Sequence, residues 1–445
     1  MFNVVLFYSV YVMGFIGGLF KNPIYGFMLY EAVYFFNPQD RWWGYKVPDI
    51  GYSFFVVVLM LGMFAIKFSH YTQNKVFSVP QFRWMYFVLF LYLISYFYAV
   101  WPEAHLTFSM YFLKLILIVT VAYKICDTSE RLDYIIFTYI FGAWYIGFIA
   151  FQLGRNSGDR VEGIGMVDAP NANDTAAAIA PALVLCLYYF WRLKPWWGKA
   201  LIGLAGVFIA NGLILINSRG AFLGAALSIV YFMLFMYFSS FQKKFQKSIA
   251  VFITIAGLAG GATLIDDSFL GRVKTLSNTE VVKEKETGST RVEFWKAAWE
   301  MAKDYPLGAG YGGFNYYAPI YIPEDVNTGG RRHRTVHSTW FEALSEIGYL
   351  GLFSFIMMIY VCFRSFSLCK KNLMETNQID MYFRIIALEA ALLGFIITVT
   401  FINRMRAEIL YWLILYSAVA YNLHVLQAKE FFKKDEQGEG DKSPV

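Results

Sequence analysis

Apolar runs of about twenty residues recur from one end of this 445-residue chain to the other, and that recurrence limits the fold more than any single motif. A helix needs roughly 20 mainly apolar residues to cross a hydrocarbon core of about 30 Å, because lipid offers no partner to an unpaired backbone N–H or C=O. The runs fall at 4–20, 23–38, 51–68, 84–101, 107–124, 133–152, 175–191, 198–216, 220–239, 248–265, 339–366, 382–402 and 407–427. Lys21 and Asn22 alone part the first two, so the expectation is an all-α polytopic membrane protein with about 12 to 13 transmembrane helices. Composition agrees, since 58% of residues are hydrophobic and 16% charged, against a charged share nearer a quarter in soluble domains. The first run has neither a basic n-region nor a small-residue cleavage site, which predicts that it is retained.

Lysine and arginine in short loops stay on the cytoplasmic side. The stretches 67–83, 124–131, 192–199, 243–247, 370–384 and 429–434 carry them and share one side when the runs alternate. The other, external side then holds Trp101 to His105, the 153–174 loop, the turn Asn217 to Gly220, the long segment 266–338 and Asn403 to Ala407. This divides the chain into a transmembrane bundle over 1–265, an external loop region over 266–338, further transmembrane helices over 339–432 and a charged tail over 433–445 with a disordered composition. No internal repeat is visible. The net charge of +6 sits in clusters between spans, which fits membrane topology and gives no basis for a nucleic-acid partner. Cys126, Cys186, Cys362 and Cys369 lie in or near spans without metal-ligand spacing, so neither disulfide nor zinc is expected.

Segment 266–338 is too long for a plain connector. Thr290 and Glu293 have capping-box spacing, and Val292, Trp295, Trp299 and Ala302 follow at helical period, predicting an amphipathic helix that ends before Pro306. The run Gly308-Ala309-Gly310-Tyr311-Gly312-Gly313 has dinucleotide-binding spacing but follows a helix, with no βαβ unit around it, and reads instead as a turn that lets backbone approach closely.

The chemistry-bearing candidates gather on the external side. Arg219 interrupts two apolar runs in a very short turn, Arg291 stands in the first turn of the loop helix, and Arg331, Arg332 and Arg334 precede a span. Arginine matches phosphate oxygens bidentately and stays charged, and a helix N-terminus adds N–H donors for an anion. The alternative for Arg219 is a snorkelling or turn residue. His337 follows the basic cluster, and a neutral imidazole there can accept a proton from a hydroxyl; the alternative is a capping or interfacial histidine. Glu342 and Glu346 lie one helical turn apart inside the next span, where carboxylates are functional candidates. Asp168 and Asp174 flank Asn171 and Asn173 and are candidate supporting acids.

Four patterns, in order, resemble the bacterial O-antigen ligase and polymerase superfamily, polytopic glycosyltransferases that use polyprenyl-diphosphate-linked glycans. They are Ser218-Arg219-Gly220-Ala221; Arg291 with Trp295 and Trp299; Pro306-Leu307-Gly308-Ala309-Gly310; and His337-Ser338 followed, after nine intervening residues, by Gly348-Tyr349-Leu350-Gly351. They cover about residues 168 to 351. Asn37-Pro38 after two apolar runs also resembles the exosortase-associated O-glycosylation ligase branch.

The resemblance implies that Arg219 and Arg291 hold the donor diphosphate while His337 acts on the acceptor hydroxyl, with Arg331, Arg332, Arg334 and Ser338 as further substrate-binding residues. Ser338 departs from the asparagine common at that position. The implied reaction moves a preassembled glycan from undecaprenyl diphosphate to a hydroxyl of a glycan, lipid or protein acceptor at the periplasmic face of the inner membrane. No metal or other cofactor is expected, because cations and one base suffice once diphosphate charge is countered. The alternatives are a polymerase joining lipid-linked repeats and, from another class, a transporter or flippase. The chain shows none of the pseudo-symmetry common in transporters.

Overall fold

The computed structural model describes residues 1–264, 288–326, 328 and 330–428. Every apolar run of the sequence is helical there, as far as it is described. The helices are α1 (Phe2–Ile16), which continues as a π-turn to Lys21, α2 (Ile24–Phe36), α3 (Tyr52–Ile66), α4 (Pro80–Ile94), α5 (Pro102–Ile125) and α6 (Ser129–Leu153). A broken pair, α7 (Ala172–Ile179) and α8 (Pro181–Arg192), is followed by α9 (Trp196–Ile216), α10 (Arg219–Phe238) and α11 (Gln246–Leu264). Two shorter helices, α12 (Gly288–Asp304) and α13 (Gly313–Tyr321), precede α14 (Thr339–Glu375), α15 (Ile379–Val399) and α16 (Glu408–Tyr421). The described residues contain no strand beyond two isolated bridges in the 153–171 loop. The protein is an all-α polytopic membrane protein.

Among the described residues nine helices are long and apolar enough to cross a membrane, or ten if the bent pair around Lys67 counts as one span. The sequence count of about 12 to 13 was higher because α2, α3 and α4 reach only 13, 15 and 15 residues and α11 counts only as a shorter apolar helix over Gln246–Gly257. Hydropathy marks burial in lipid and burial in protein alike: nearly all of α2 is packed inside the bundle. The charged tail over 433–445 and residues 265–287 of the loop lie outside the described residues.

Small residues set how closely the central helices approach. A Cβ on Gly224 of α10 would fall 2.1 Å from Thr398 Oγ1 and 2.3 Å from the Gly394 carbonyl of α15. Helices associate in lipid by such close contact, and here it brings the start of α10 against the end of α15.

Polar groups separate to the two ends of the bundle. At the basic end Arg384, fully buried, meets Asp133 at 3.1 Å, Asp133 meets Arg192 at 2.7 Å, and Lys370 meets Glu389 at 2.6 Å. At the other end Val161 N–H donates to the Leu215 carbonyl at 3.0 Å and Val100 N–H to that of Ala309 at 3.0 Å. The segments that charge alternation groups on one side therefore share one end of the molecule.

Helices α12 and α13 cap that end around a second, smaller apolar cluster of Phe294, Ala298, Met301, Phe314, Ile322 and Val336. The loop helix is present, but it begins at Gly288, so Thr290 lies inside it and is not its N-cap. Its buried stripe is also offset from the expected one. Val292 and Trp299 are exposed, while Phe294, Ala298 and Met301 face inward, because the cap packs α12 against both α13 and α14.

Candidate active site at the capped end

Helix α14 is 37 residues long, about 55 Å at 1.5 Å per residue, and it is broken at Gly348, where φ is +70° and ψ −167°. The break exposes carbonyls above it and an N–H below it. The glycine run occupies the gap: Ala309 N–H donates to the Ser345 carbonyl at 2.9 Å, Gly310 N–H to that of Glu346 at 3.0 Å, and Tyr349 N–H to that of Pro306 at 3.0 Å. A Cβ on Gly348 would lie 2.1 Å from the Pro306 oxygen, and one on Gly308 2.5 Å from the Glu346 backbone. The Pro306–Gly310 and Gly348–Gly351 motifs are thus the two halves of one backbone joint. This close approach is the use expected of the glycines in place of dinucleotide binding.

Above the joint, the first segment of α14 starts at Thr339 directly after His337. His337 adopts a left-handed backbone conformation, φ +51°, which turns an extended approach into the helix. Both neighbours are pinned: Trp295 Nε1 donates to the Val336 carbonyl at 3.1 Å, and Ser338 N–H donates to Asn403 Oδ1 at 3.2 Å. The half-buried imidazole stacks over Phe294 with ring centroids 6.2 Å apart, and Nε2 lies 3.3 Å from Thr335 Oγ1. Burial and the Arg291 and Arg334 guanidiniums push its pKa down to about 4, since each of these penalises the imidazolium. The ring is therefore neutral at pH 7, the form that accepts a proton.

The turn Thr400–Ala407 between α15 and α16 gathers the other predicted residues. Arg291 Nη1 donates to the Phe401 carbonyl at 3.1 Å. Arg219 opens α10 after a two-residue turn in which Asn217 is left-handed, φ +58°, and a Cβ on its neighbour Gly220 would lie 3.4 Å from the Thr398 carbonyl and 3.6 Å from the Phe401 ring. Thr339 Oγ1 donates to the Ile402 carbonyl at 2.8 Å. Arg219, Arg291, Arg334, His337 and Ser338 thus come to one region although Arg219 lies 72 residues before Arg291 and more than a hundred before the other three. Arg332 is turned aside, donating to the carbonyls of Ile322 and Pro323 at the end of α13, and Arg331 is exposed.

Helices α10, α12 and α14 all begin here, so their N-terminal partial positive charges add to the arginines. The arrangement suits a multiply charged anion next to a neutral base. Ser338 Oγ is buried with no hydrogen-bond partner among the described residues.

Residues 204–356 match the family described as O-antigen ligase. Over that stretch, about a third of the chain, the sequence is similar to the O-antigen ligase and polymerase superfamily. The matched stretch runs from α9 through the joint of α14 and contains Arg219, Arg291 and His337. No curated protein matches the chain. The matched stretch includes the capped end, where the glycine joint holds α12 against α14.

The sequence reading missed Arg404 and Arg406, which organise the turn itself. Arg404 Nη2 meets Asp168 Oδ2 at 2.9 Å, and Nη1 lies 4.0 Å from Asp174; Asp168 also accepts from the Glu408 N–H at 2.9 Å and from the Tyr34 hydroxyl. Arg406 pairs with Glu346 and with Glu342, the latter at 3.3 Å, inside a cage of Tyr92, Tyr311 and Phe108 with centroids at 4.9, 5.1 and 5.8 Å. Glu342 Oε2 accepts from Met405 N–H at 2.9 Å, and Glu346 Oε1 from Gly312 N–H at 3.0 Å. These carboxylates hold the turn and the glycine joint. The signal for their partners was present: carboxylates inside a span demand cations, and the acid-poor external turn supplied two.

Proposed function

We propose that the protein is a glycan ligase that transfers a preassembled saccharide from a polyprenyl diphosphate to an acceptor hydroxyl at the external face of the cytoplasmic membrane. The observation that carries this reading is the meeting of Arg219, Arg291 and a neutral His337 around the Thr400–Ala407 turn. Arg219 and Arg291 bind the donor diphosphate and stabilise it as a leaving group. His337 takes the proton of the acceptor hydroxyl as its oxygen attacks the anomeric carbon, and the bond to the diphosphate oxygen breaks. Arg334 and Ser338 lie at the same place and contact the substrates.

Electrostatics couples the two steps. In the free enzyme burial, and after it the Arg291 and Arg334 guanidiniums, hold the imidazole pKa low. A bound diphosphate cancels their field and raises it, so the base gains strength when the donor is in place.

The test is transfer by purified, reconstituted protein from a polyprenyl-diphosphate oligosaccharide, measuring both released lipid diphosphate and product length. The expected result is His337-dependent release with the length of the glycan unchanged. A ladder of repeats identifies a polymerase of the same superfamily, and wild-type release by His337→Ala removes the base assignment. Reporter fusions at Lys244 and at Glu324 are expected to read cytoplasmic and external; the reverse places the site on the wrong face.

A further inference from the structure

The opposite, basic end of the bundle carries a groove of about 220 Å³ between the first turn of α4 and the outer face of α14, with Ser78 and Arg83 on one wall, Val361 and Arg364 on the other, and Ser365 and Tyr421 completing it. Arg364 is the informative residue. The outer face of α14 exposes Phe353, Ile356 and Tyr360 at helical spacing, 52%, 44% and 53% exposed, and an exposed apolar stripe on a membrane helix faces acyl chains. Arg364 continues that stripe one turn further on, is itself exposed, and bonds to no group among the described residues.

Arg83 is placed differently. Its Nε donates to the Phe77 carbonyl at 2.6 Å, which fixes the guanidinium while its Nη groups bond to nothing else among the described residues. Helix α4 starts with Pro80 and has no side-chain cap, so its first-turn N–H groups open toward the same end. Two arginines, three hydroxyls and a helix start around one groove make an anion site.

We infer that this groove holds the phosphate of an anionic glycerophospholipid from the leaflet at the basic end, with Arg83 and Arg364 as its cations and its acyl chains along the outer face of α14. A lipid is favoured over a soluble phosphate because Arg364, on the groove wall, continues the exposed Phe353–Tyr360 stripe of the same helix, which gives the chains a surface. The inference stands independently of the transfer chemistry and of which face of the membrane this end occupies.

The experiment is native mass spectrometry of the full-length protein, delipidated and then supplied with phosphatidylglycerol or phosphatidylcholine. The wild type retains phosphatidylglycerol in preference to phosphatidylcholine. The double variant Arg83→Gln/Arg364→Gln loses it by roughly tenfold or more, Arg364→Lys keeps most of it, and Lys371→Gln, a cation of the same helix outside the groove, behaves as wild type. A melting temperature matching wild type in lipid-free detergent confirms that the double variant is folded. Equal retention by wild type and double variant overturns the site, as does equal retention of the two lipids by the wild type. Displacement by millimolar inorganic phosphate assigns the groove to a soluble anion and overturns the lipid.

Discussion

Arg404 and Asp168 stand 236 residues apart in the chain and meet at 2.9 Å. The guanidinium is 6% exposed, so the pair ties the Thr400–Ala407 turn to the loop that enters α7. Removing the carboxylate leaves a buried cation with its nearest remaining acid, Asp174, at 4.0 Å. Asp168→Asn is expected to cost about 3 kcal/mol. Unfolding in detergent checks it, and the double variant Asp168→Asn/Arg404→Met is expected to lose less than the two single changes combined. Strict additivity shows that the two groups do not depend on each other.

The low pKa of His337 makes a prediction about pH. A base must be unprotonated, so kcat/KM falls as pH drops through the free-enzyme pKa of about 4. Arg291→Gln removes one of the cations that depress this value, so its acid limb moves upward toward the ordinary imidazole range. An acid limb that stays in place in the variant separates Arg291 from His337 electrostatically.

Arg219→Lys keeps the charge and removes the planar fork. Lysine meets phosphate as a point charge, so donor turnover is expected to fall by about one to two orders of magnitude, equivalent to roughly 1.4 to 2.8 kcal/mol, without a change in melting temperature. Unchanged kinetics assign Arg219 to the turn instead of the diphosphate.

The joint in α14 is sensitive to a single methyl group. Gly348→Ala places a side chain at φ +70° and 2.1 Å from the Pro306 oxygen, so the loop must leave the gap. The expected loss is about 3 kcal/mol or more, with lower activity because α12 carries Arg291. A variant of wild-type stability and activity shows that the joint does not position the site.

Much of this was legible in the sequence. Long apolar runs had to become helices, and Arg219, Arg291 and His337 drew attention through their places at span ends and in the family-like motifs, since an arginine or histidine there also has ordinary turn, capping and interfacial uses. Helix count was harder to read, because α2 is apolar on all sides through burial in protein. Arg404 and Arg406 escaped notice for a different reason. Their partners, Asp168, Glu342 and Glu346, are 60 or more residues away, and no periodicity links a turn to the elements that close on it. The Gly348 break was equally hidden, because a helical pattern continues on both sides of one glycine.

Several supports of the site end on main-chain oxygens. Arg291 reaches the carbonyl of Phe401, Thr339 that of Ile402, Trp295 that of Val336, and Arg160 that of Ile216. A carbonyl is present whatever side chain the position carries. These anchors are therefore blind to residue identity at 216, 336, 401 and 402: side chains there answer to the packing around them, while the grip on the cations and the imidazole depends only on where the backbone runs.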